Sequence, residues 1–340
     1  MSQLGVAIQG AGWVSAEHIR AYQQNPHTEV RVICSRRLET AEARRAAAGL
    51  DCEVTTDFGS LLTSEDVDLV SICTPNHRHA QEVLAAAAAG KHLLIEKPVA
   101  LNLEDLGAIR DAVRAAGVKT VVSFVLHWNP FFQTAKALLN DGALGQIIYA
   151  ETGYFHEIGP WYPGYHWARK ADTGGSAMLM GGCHALDALR WFVGEISEVC
   201  AYSTRGHRQD YEYDPTSVAL LQFTDGAVGH LAASFEVECP YVFPVHLMGA
   251  AGALRNDRLW SPGKFPGQTD WISLPTVMPD NGDVAHHPFQ GEIDHLVDCI
   301  RNDQESEVNL EDAVRTHEAA LAIDRSAREG RPVALPLLTD

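Results

Sequence analysis

The stretch Val6–Ser15, VAIQGAGWVS, places Gly10-x-Gly12 directly after a short apolar run, Leu4–Gln9, and before a helical pattern that continues to about Gln24. A glycine turn between a buried strand and a helix lets a pyrophosphate approach backbone N–H groups at the positive end of the helix. The third glycine of G-x-G-x-x-G is replaced by Ser15, which is small. An ordinary strand-to-helix turn would read the same in isolation, so the neighbouring segments decide. Val30–Cys34 is β-branched and apolar and leads into a helix closed at Gly49. Val67–Cys73, Leu93–Ile95 and Thr120–Val125 read as further strands, separated by helices ending at Gly90 and Gly117. Strands alternating with helices of this length make βαβ units and a parallel sheet. In that setting Gly10, Gly12, Trp13 and Val14 are expected to bind a dinucleotide.

The end of the second strand bears on which dinucleotide. It reads VICSRRLETA over Val32–Ala41, with Ser35, Arg36 and Arg37 where an acidic residue would bond a ribose 2′-hydroxyl. A carboxylate there would repel a 2′-phosphate, whereas a hydroxyl and two guanidiniums bind it through charge-assisted hydrogen bonds and stack on adenine. Arginines at a helix N-terminus also oppose the macrodipole, which argues against a purely structural role. The expectation is NADP(H), with NAD(H) left open.

From about Phe124 the pattern changes. Ile147–Phe155, Val199–Thr204, Ser217–Phe223 and Ala227–Phe235 are β-rich, and an Asp225-Gly226 turn joins the last two as a hairpin. A second hairpin turns at Gly252, helices are expected at about 131–141, 183–193, 288–301 and 311–329, and 255–287 reads as a long irregular connection. With 340 residues, too many for a typical single core, two domains are expected. Residues 1–124 are expected to form an α/β Rossmann domain with a doubly wound parallel sheet, and 125–340 an α+β domain with a large, mostly antiparallel open sheet.

Composition narrows the partners. The 26 basic and 44 acidic residues give a formal charge of -18, spread along the chain, which argues against nucleic acid or an anionic membrane surface. No apolar run approaches the roughly 20 residues of a membrane helix, and the start MSQLGVAIQG has no basic n-region of a signal peptide. Seven cysteines, an odd number without C-x-x-C spacing, argue against a disulfide framework or a thiolate zinc site. A reducing cytoplasm is expected.

Three further stretches line up: CTPNHRH at Cys73–His79, IEKP at Ile95–Pro98, and GGSAMLMGGCHALDALRWFVG at Gly174–Gly194. With the glycine turn, this order resembles the Gfo/Idh/MocA oxidoreductases, the glucose-fructose oxidoreductase and inositol dehydrogenase family. The resemblance extends to AIDRSAREGRPVAL at Ala322–Leu335. It implies a nicotinamide-dependent enzyme acting on the CH–OH group of a sugar, cyclitol or related polyol. It places Thr74, Pro75, Asn76, His79, Glu96 and Lys97 at the cofactor, with Lys97 beside nicotinamide and substrate hydroxyl and a cis bond before Pro98. It maps the histidine and last aspartate of G-G-x-L-x-D-x-x-x-H-x-x-D to His184 and Asp187. It also implies a homodimer or homotetramer through the second domain's sheet, and no metal.

The chemistry agrees with that assignment. An imidazole, with an ordinary pKa of ~6.5, suits the base that takes a carbinol proton. An ammonium beside the same oxygen stabilises the developing alkoxide. Asp187 reads equally as a substrate ligand or as a first-turn carboxylate favoured by the helix dipole. One position departs from the resembled pattern: Met180 stands where the family has an aspartate. Either another residue supplies that function, or Lys97 and His184 act alone, or the protein binds without turnover. The adjacent Gly181 and Gly182 suggest an open backbone there.

Sixteen histidines supply candidates. FVLHWNP offers His127, and the His- and aromatic-rich segment TGYFHEIGPWYPGYHWARK offers His156, Glu157, His166, Trp167 and Arg169 as substrate contacts, since aromatic faces stack on sugar rings. His156, Glu157, His166 and His184 could also be grouped as metal ligands, but without helical ligand spacing, and no metal is expected. Two other functions fit the same motifs: a glycosidase that oxidises its substrate transiently and eliminates the aglycone, and a non-catalytic sugar- or cofactor-sensing protein.

Overall fold

The structure, a computed structural model, describes residues 3–279 and 282–338; the first two residues and positions 280 and 281 of the 255–287 connection lie outside them. The chain packs as two compact units, one running to Val125 together with Val284–Val314, the other Leu126–Asp283 with the segment from Arg315 onward.

In the first unit, β1 (Leu4–Gln9), β2 (Thr28–Cys34), β3 (Glu53–Thr55), β4 (Leu69–Ile72), β5 (His92–Ile95) and β6 (Thr120–Val122) form one sheet in the order β3-β2-β1-β4-β5-β6. All its pairings are parallel. Helices α1 (Ser15–Gln24), α2 (Leu38–Ala48), α3 (Phe58–Thr63), α4 (His79–Ala88) and α5 (Leu103–Ala116) make the connections. Strand order reverses between β1 and β4, and such a switch point opens a ligand crevice beyond the carboxyl ends of the strands. Every residue of β4, and Leu93–Ile95 of β5, is buried, which is why both read as unbroken apolar runs. Local chemistry sets the ends of α5: the Asn102 side chain accepts from the Asp105 N–H, and Gly117 closes the helix in the left-handed conformation. The short, partly exposed β3 and α3 carry too little periodicity to read from sequence.

The second unit is built on a nine-stranded sheet. Its strands are β7 (Ile147–Phe155), β8 (Ile196–Thr204), β9 (Thr216–Phe223), β10 (Val228–Ser234), β11 (Val245–Gly249), β12 (Ala253–Arg255), β13 (Arg258–Trp260), β14 (Ile272–Ser273) and β15 (Val333–Ala334). Their order is β14-β13-β12-β11-β7-β10-β9-β8-β15, antiparallel except where β10 runs parallel to β7. The 255–287 connection therefore carries the short β13 and β14 rather than being wholly irregular. Helices α6 (Pro130–Asn140), α7 (Tyr165–Ala168) and α8 (Cys183–Val193) belong to this unit.

Helix α8 packs on β7, pinned by the Thr152 hydroxyl donating to the Ala185 carbonyl at 2.9 Å. On the sheet's other side alternation turns apolar groups outward. Along β9, Ala219, Leu221 and Phe223 are buried while Val218 and Leu220 are exposed, and Tyr202 of β8 is 77% exposed.

Two long helices follow, α9 (Phe289–Asn302) and α10 (Leu310–Glu329). Helix α9 packs with the first unit, together with the residues from Val284 onward. Its Asp294 accepts from the Asn25 amide at 2.7 Å. Among the described residues no helix is long and apolar enough to cross a membrane.

Candidate active site

The glycine turn is built as its sequence requires. Gly10 has φ +101°, and a Cβ there would lie 2.6 Å from the Cys73 carbonyl oxygen, so only glycine lets β1 and β4 end side by side. Gly12 is exposed, with nothing nearer than 3.9 Å to where its Cβ would be. Its carbonyl is held from two sides, by Ser15 Oγ at 2.7 Å and by Arg44 Nη2 at 2.7 Å. Ser15 thus has a hydrogen-bonding role in place of the third glycine, and Arg44, which the sequence reading does not single out, reaches the turn from α2. Trp13 and Val14 are partly exposed at the start of α1. Ser35 ends β2 with its N–H on the Thr55 carbonyl at 3.1 Å, and the exposed Arg36 and Arg37 follow, Arg37 capping α2 in extended conformation. The open space at Gly12 and the helix N-terminus behind it fit a dinucleotide pyrophosphate.

The loop after β4 is organised by Glu82, a buried carboxylate also missed from sequence. It accepts from Gln9 Nε2 at 2.8 Å, Arg78 Nε at 2.9 Å and Thr74 Oγ1 at 2.5 Å, fixing Thr74 while Pro75 leads into the short helical turn Asn76–Arg78. His79, expected at the cofactor, is fully buried, with Nδ1 2.7 Å from the Pro98 carbonyl and Nε2 2.8 Å from that of Thr74. Its visible work is to clamp the loop after β4 to the turn after β5. In that second turn the Lys97–Pro98 bond is cis. Glu96 is buried against His18, whose Nε2 lies 3.0 Å from Glu96 Oε1, and Lys97 is partly exposed at the carboxyl end of β5.

The remaining predicted residues lie in the second unit. His184 is the second residue of α8, 7% exposed, and its ring lies 6.4 Å from that of Tyr154 at an interplanar angle of 17°. Asp187 is one turn further on, on the same side of the helix. Both its oxygens are engaged: Oδ2 lies 2.7 Å from His127 Nε2, and Oδ1 accepts from Thr316 Oγ1 at 3.2 Å. Thr316 is held in turn by Arg190 Nη1 at 2.7 Å, and the His127 ring stacks on Trp191 at 4.1 Å. His127 and Asp187, read as separate substrate contacts, form one buried pair.

Position 180 explains itself by packing. Residues 178–182 form one turn of π-helix ahead of α8, and Met180 lies in an apolar cluster with Ile158, Ala168, Ala177, Tyr211 and Phe235. An aspartate there would put a charge among hydrocarbon groups, so methionine suits this surround. The backbone beside it is the opposite of open. A Cβ on Gly181 would come within 2.7 Å of both the Tyr154 and Phe235 rings, so the two glycines serve close packing.

The His- and aromatic-rich segment is irregular but not loose. Arg208 holds it, bonding Glu157, the Tyr165 hydroxyl at 2.5 Å and Asp210 Oδ1 at 3.2 Å, while Arg169 Nη1 donates to the Asp210 carbonyl at 2.7 Å. Glu157 also accepts from Trp161 Nε1 at 2.7 Å. His156 is half-buried between Trp161, 5.1 Å away, and Tyr241, 5.5 Å away, and burial holds its pKa below the ordinary value. His166 is exposed and Trp167 partly so. Tyr154 and Tyr241 extend this aromatic wall and went unread. For Tyr154, the available signal was its place at the end of an alternating strand two residues before His156. Among the described residues no three His, Cys, Asp or Glu side chains converge as a metal site.

A parallel sheet of this order with a glycine turn after β1 defines a dinucleotide-binding Rossmann unit. Comparison with known proteins goes further. Residues 4–124 match the oxidoreductase family with NAD-binding Rossmann fold, and residues 132–255 match the Gfo/Idh/MocA C-terminal domain. The chain belongs to the Gfo/Idh/MocA oxidoreductase family. It is 29% identical over 266 residues to a levoglucosan dehydrogenase of Pseudarthrobacter phenanthrenivorans, covering 69% of this chain and 68% of that one. It is 30% identical over 222 residues to a D-xylose 1-dehydrogenase (NADP(+)) of Haloferax volcanii, covering 64% and 65%. A solved levoglucosan dehydrogenase in complex with NADH and levoglucosan has the same fold, with a TM-score of 0.88 over 98% of this chain and 100% of that one at 24% identity.

Proposed function

We propose that this protein is a dehydrogenase or ketoreductase interconverting a carbinol and a ketone on a sugar, glycoside or cyclitol, with Lys97 and His184 as its acid/base pair. The observation that carries the reading is Lys97 at the carboxyl end of buried β5, one strand from the switch point, on a turn held by His79 at Pro98 and by His18 at Glu96. Gly10, Gly12, Trp13, Val14 and the Thr74-Pro75-Asn76 loop would hold the nicotinamide dinucleotide, which when bound accepts or returns hydride. Lys97 stabilises negative charge on the substrate oxygen, and His184 takes or gives its proton. The buried His127–Asp187 pair orients α8 around His184, while His156, His166, Trp167 and Arg169 line the sugar's surround. The sugar and cyclitol dehydrogenases among the relatives support the substrate class. A panel of mono- and disaccharides, glycosides and inositols assayed by reduced-nicotinamide absorbance tests it. Saturable cofactor binding without turnover of any member would sink it.

For the cofactor we propose NADP(H), on the strength of Ser35 and the exposed Arg36 and Arg37 beyond β2. Charge-assisted bonds of about 1.5–3 kcal/mol each predict that replacing both arginines by alanine raises the NADPH Kd ~30-fold or more and the NADH Kd less than about threefold. Equal losses, measured by equilibrium titration, would show that these arginines do not read a 2′-phosphate.

The outward face of β8 and β9 supports a homodimer or homotetramer assembled through the second unit's sheet. Leu220, 62% exposed between Cys200 of β8 and His230 of β10, is its clearest probe. Leu220→Glu should dissociate the assembly in sedimentation experiments, and an unchanged mass would remove this face from the interface. Seven cysteines, none in a disulfide among the described residues, support a cytoplasmic setting.

A further inference from the structure

Beneath the Lys97 turn, inside the first unit, lies a set of polar groups with no place in the reaction as assigned. His18, in the first turn of α1, is 0% exposed. Its Nδ1 lies 2.8 Å from Ser71 Oγ and 3.5 Å from Cys73 Sγ, and its Nε2 lies 3.0 Å from Glu96 Oε1. The Phe289 ring of α9 packs against the imidazole at a centroid distance of 5.0 Å. A buried pair of this kind adds little to stability compared with a well-packed leucine, because both groups lose their hydration. Helix α1 needs no histidine here, since its other buried neighbours, Ile19 and Tyr22, already tie it to the sheet.

We infer that His18 is a positioning residue for the Glu96-Lys97-Pro98 turn: it grips Glu96 so that one fixed carboxylate stands next to Lys97. The inference rests on the assignment of Lys97 to the reaction. The geometry is specific. His18 and Ser71 come from below the sheet's carboxyl edge, Glu96 is the first residue past β5, and Lys97 is the next. Among the described residues, the charged or titratable groups acting on the pair are Cys73 after β4, His79 from α4, Lys97 from the turn and Glu292 from α9, with Tyr22 of α1 close to Cys73 and Glu292. Burial disfavours a charged imidazole, but Cys73 and Glu96 together hold the His18 pKa well above its ordinary value. Burial would likewise raise Glu96, yet His18, Lys97 and His79 hold its carboxyl below the usual range. A carboxylate held there gives the adjacent ammonium a fixed, oppositely charged neighbour.

The test is the pH dependence of kcat in His18→Leu and His18→Gln, with Lys97→Met assayed alongside. Without the imidazole, the Glu96 carboxylate is no longer held in place beside Lys97. The alkaline limb of kcat should move down by roughly one pH unit or more, and kcat should fall ~10–100-fold while the KM for cofactor stays within about threefold. His18→Gln, which keeps a donor at the Nε2 position, should recover part of kcat. Should His18→Leu fail to fold, Glu96→Gln keeps the hydrogen bond, removes the charge and should move the same limb. A wild-type pH profile in these variants beside an inactive Lys97→Met overturns the positioning role alone. Activity in Lys97→Met overturns the assignment of Lys97 and this inference with it.

Discussion

Lys97→Met is expected to lower kcat/KM about 10³-fold or more while the Kd values for NADPH and NADH stay within about fivefold. Methionine keeps an unbranched stem, so the turn between β5 and Pro98, with Glu96 on His18 and His79 on the Pro98 carbonyl, can form as before. What is lost is the charge proposed to stand beside the reacting oxygen. A 10³-fold loss corresponds to about 4 kcal/mol of transition-state stabilisation. His184→Asn should cost ~10²–10⁴-fold as loss of a general base. If the two residues act as one unit, the double variant will be little worse than the poorer single one. Steady-state kinetics and fluorescence titration of cofactor separate the two effects. Lys97→Met activity within about tenfold of wild type would falsify the acid/base assignment.

The second large effect concerns stability. Glu292 of α9 is fully buried in the first unit, where Oε2 accepts from Ser123 Oγ at 3.1 Å while Oε1 has no hydrogen-bond partner. Burial, with Glu96 adding to it, pushes the carboxyl up to about 8 from an ordinary 4.5. Between those values the folded chain holds a proton that the unfolded chain has released, so this group's contribution to stability falls as pH rises through that window and is gone above about pH 8. At about 1.4 kcal/mol per pH unit, the loss amounts to roughly 3–5 kcal/mol. Glu292→Gln fills the same space without a titratable proton. It should match wild type within about 1 kcal/mol near pH 4.5 and exceed it by roughly 3–5 kcal/mol above pH 8, a Tm gain on the order of 10 °C. Asp324 in the second unit, which burial pushes up to about 7, slopes the same way but is common to both proteins and cancels in the difference. Melting curves from pH 4.5 to 9.5 that run parallel for the two proteins would show that Glu292 is ionised in the fold.

These two residues differ in how visible they are along the chain. Lys97 stands out because a charge and a proline interrupt an apolar strand, a purely local signal. Glu292 looks like any acidic residue in an amphipathic helix, and its burial depends on α9 packing with a unit about 170 residues earlier in sequence. His18 and Glu82 hide in the same way, each a polar residue on a short helix whose inner face is set by the sheet beneath it. Asp187 was legible as a position but not as a role. Helical spacing puts it beside His184, whereas only the fold brings His127 and Thr316 to its two oxygens. Gly181 and Gly182 mislead because a glycine pair looks the same in sequence whether it leaves space or removes a Cβ from a crowded contact.

The sequence by itself determined the parallel first sheet, the glycine turn, the mostly antiparallel second sheet and the family, because these rest on short-range patterns of period, turn chemistry and motif spacing. It also singled out Lys97 and His184 as the residues to test. Only the tertiary structure decided that α9 belongs with the first unit, that Met180 is core, that Asp187 serves His127, and that a buried histidine and carboxylate stand behind Lys97. Each of those depends on which groups lose water together, and burial is settled by contacts between segments far apart in the chain.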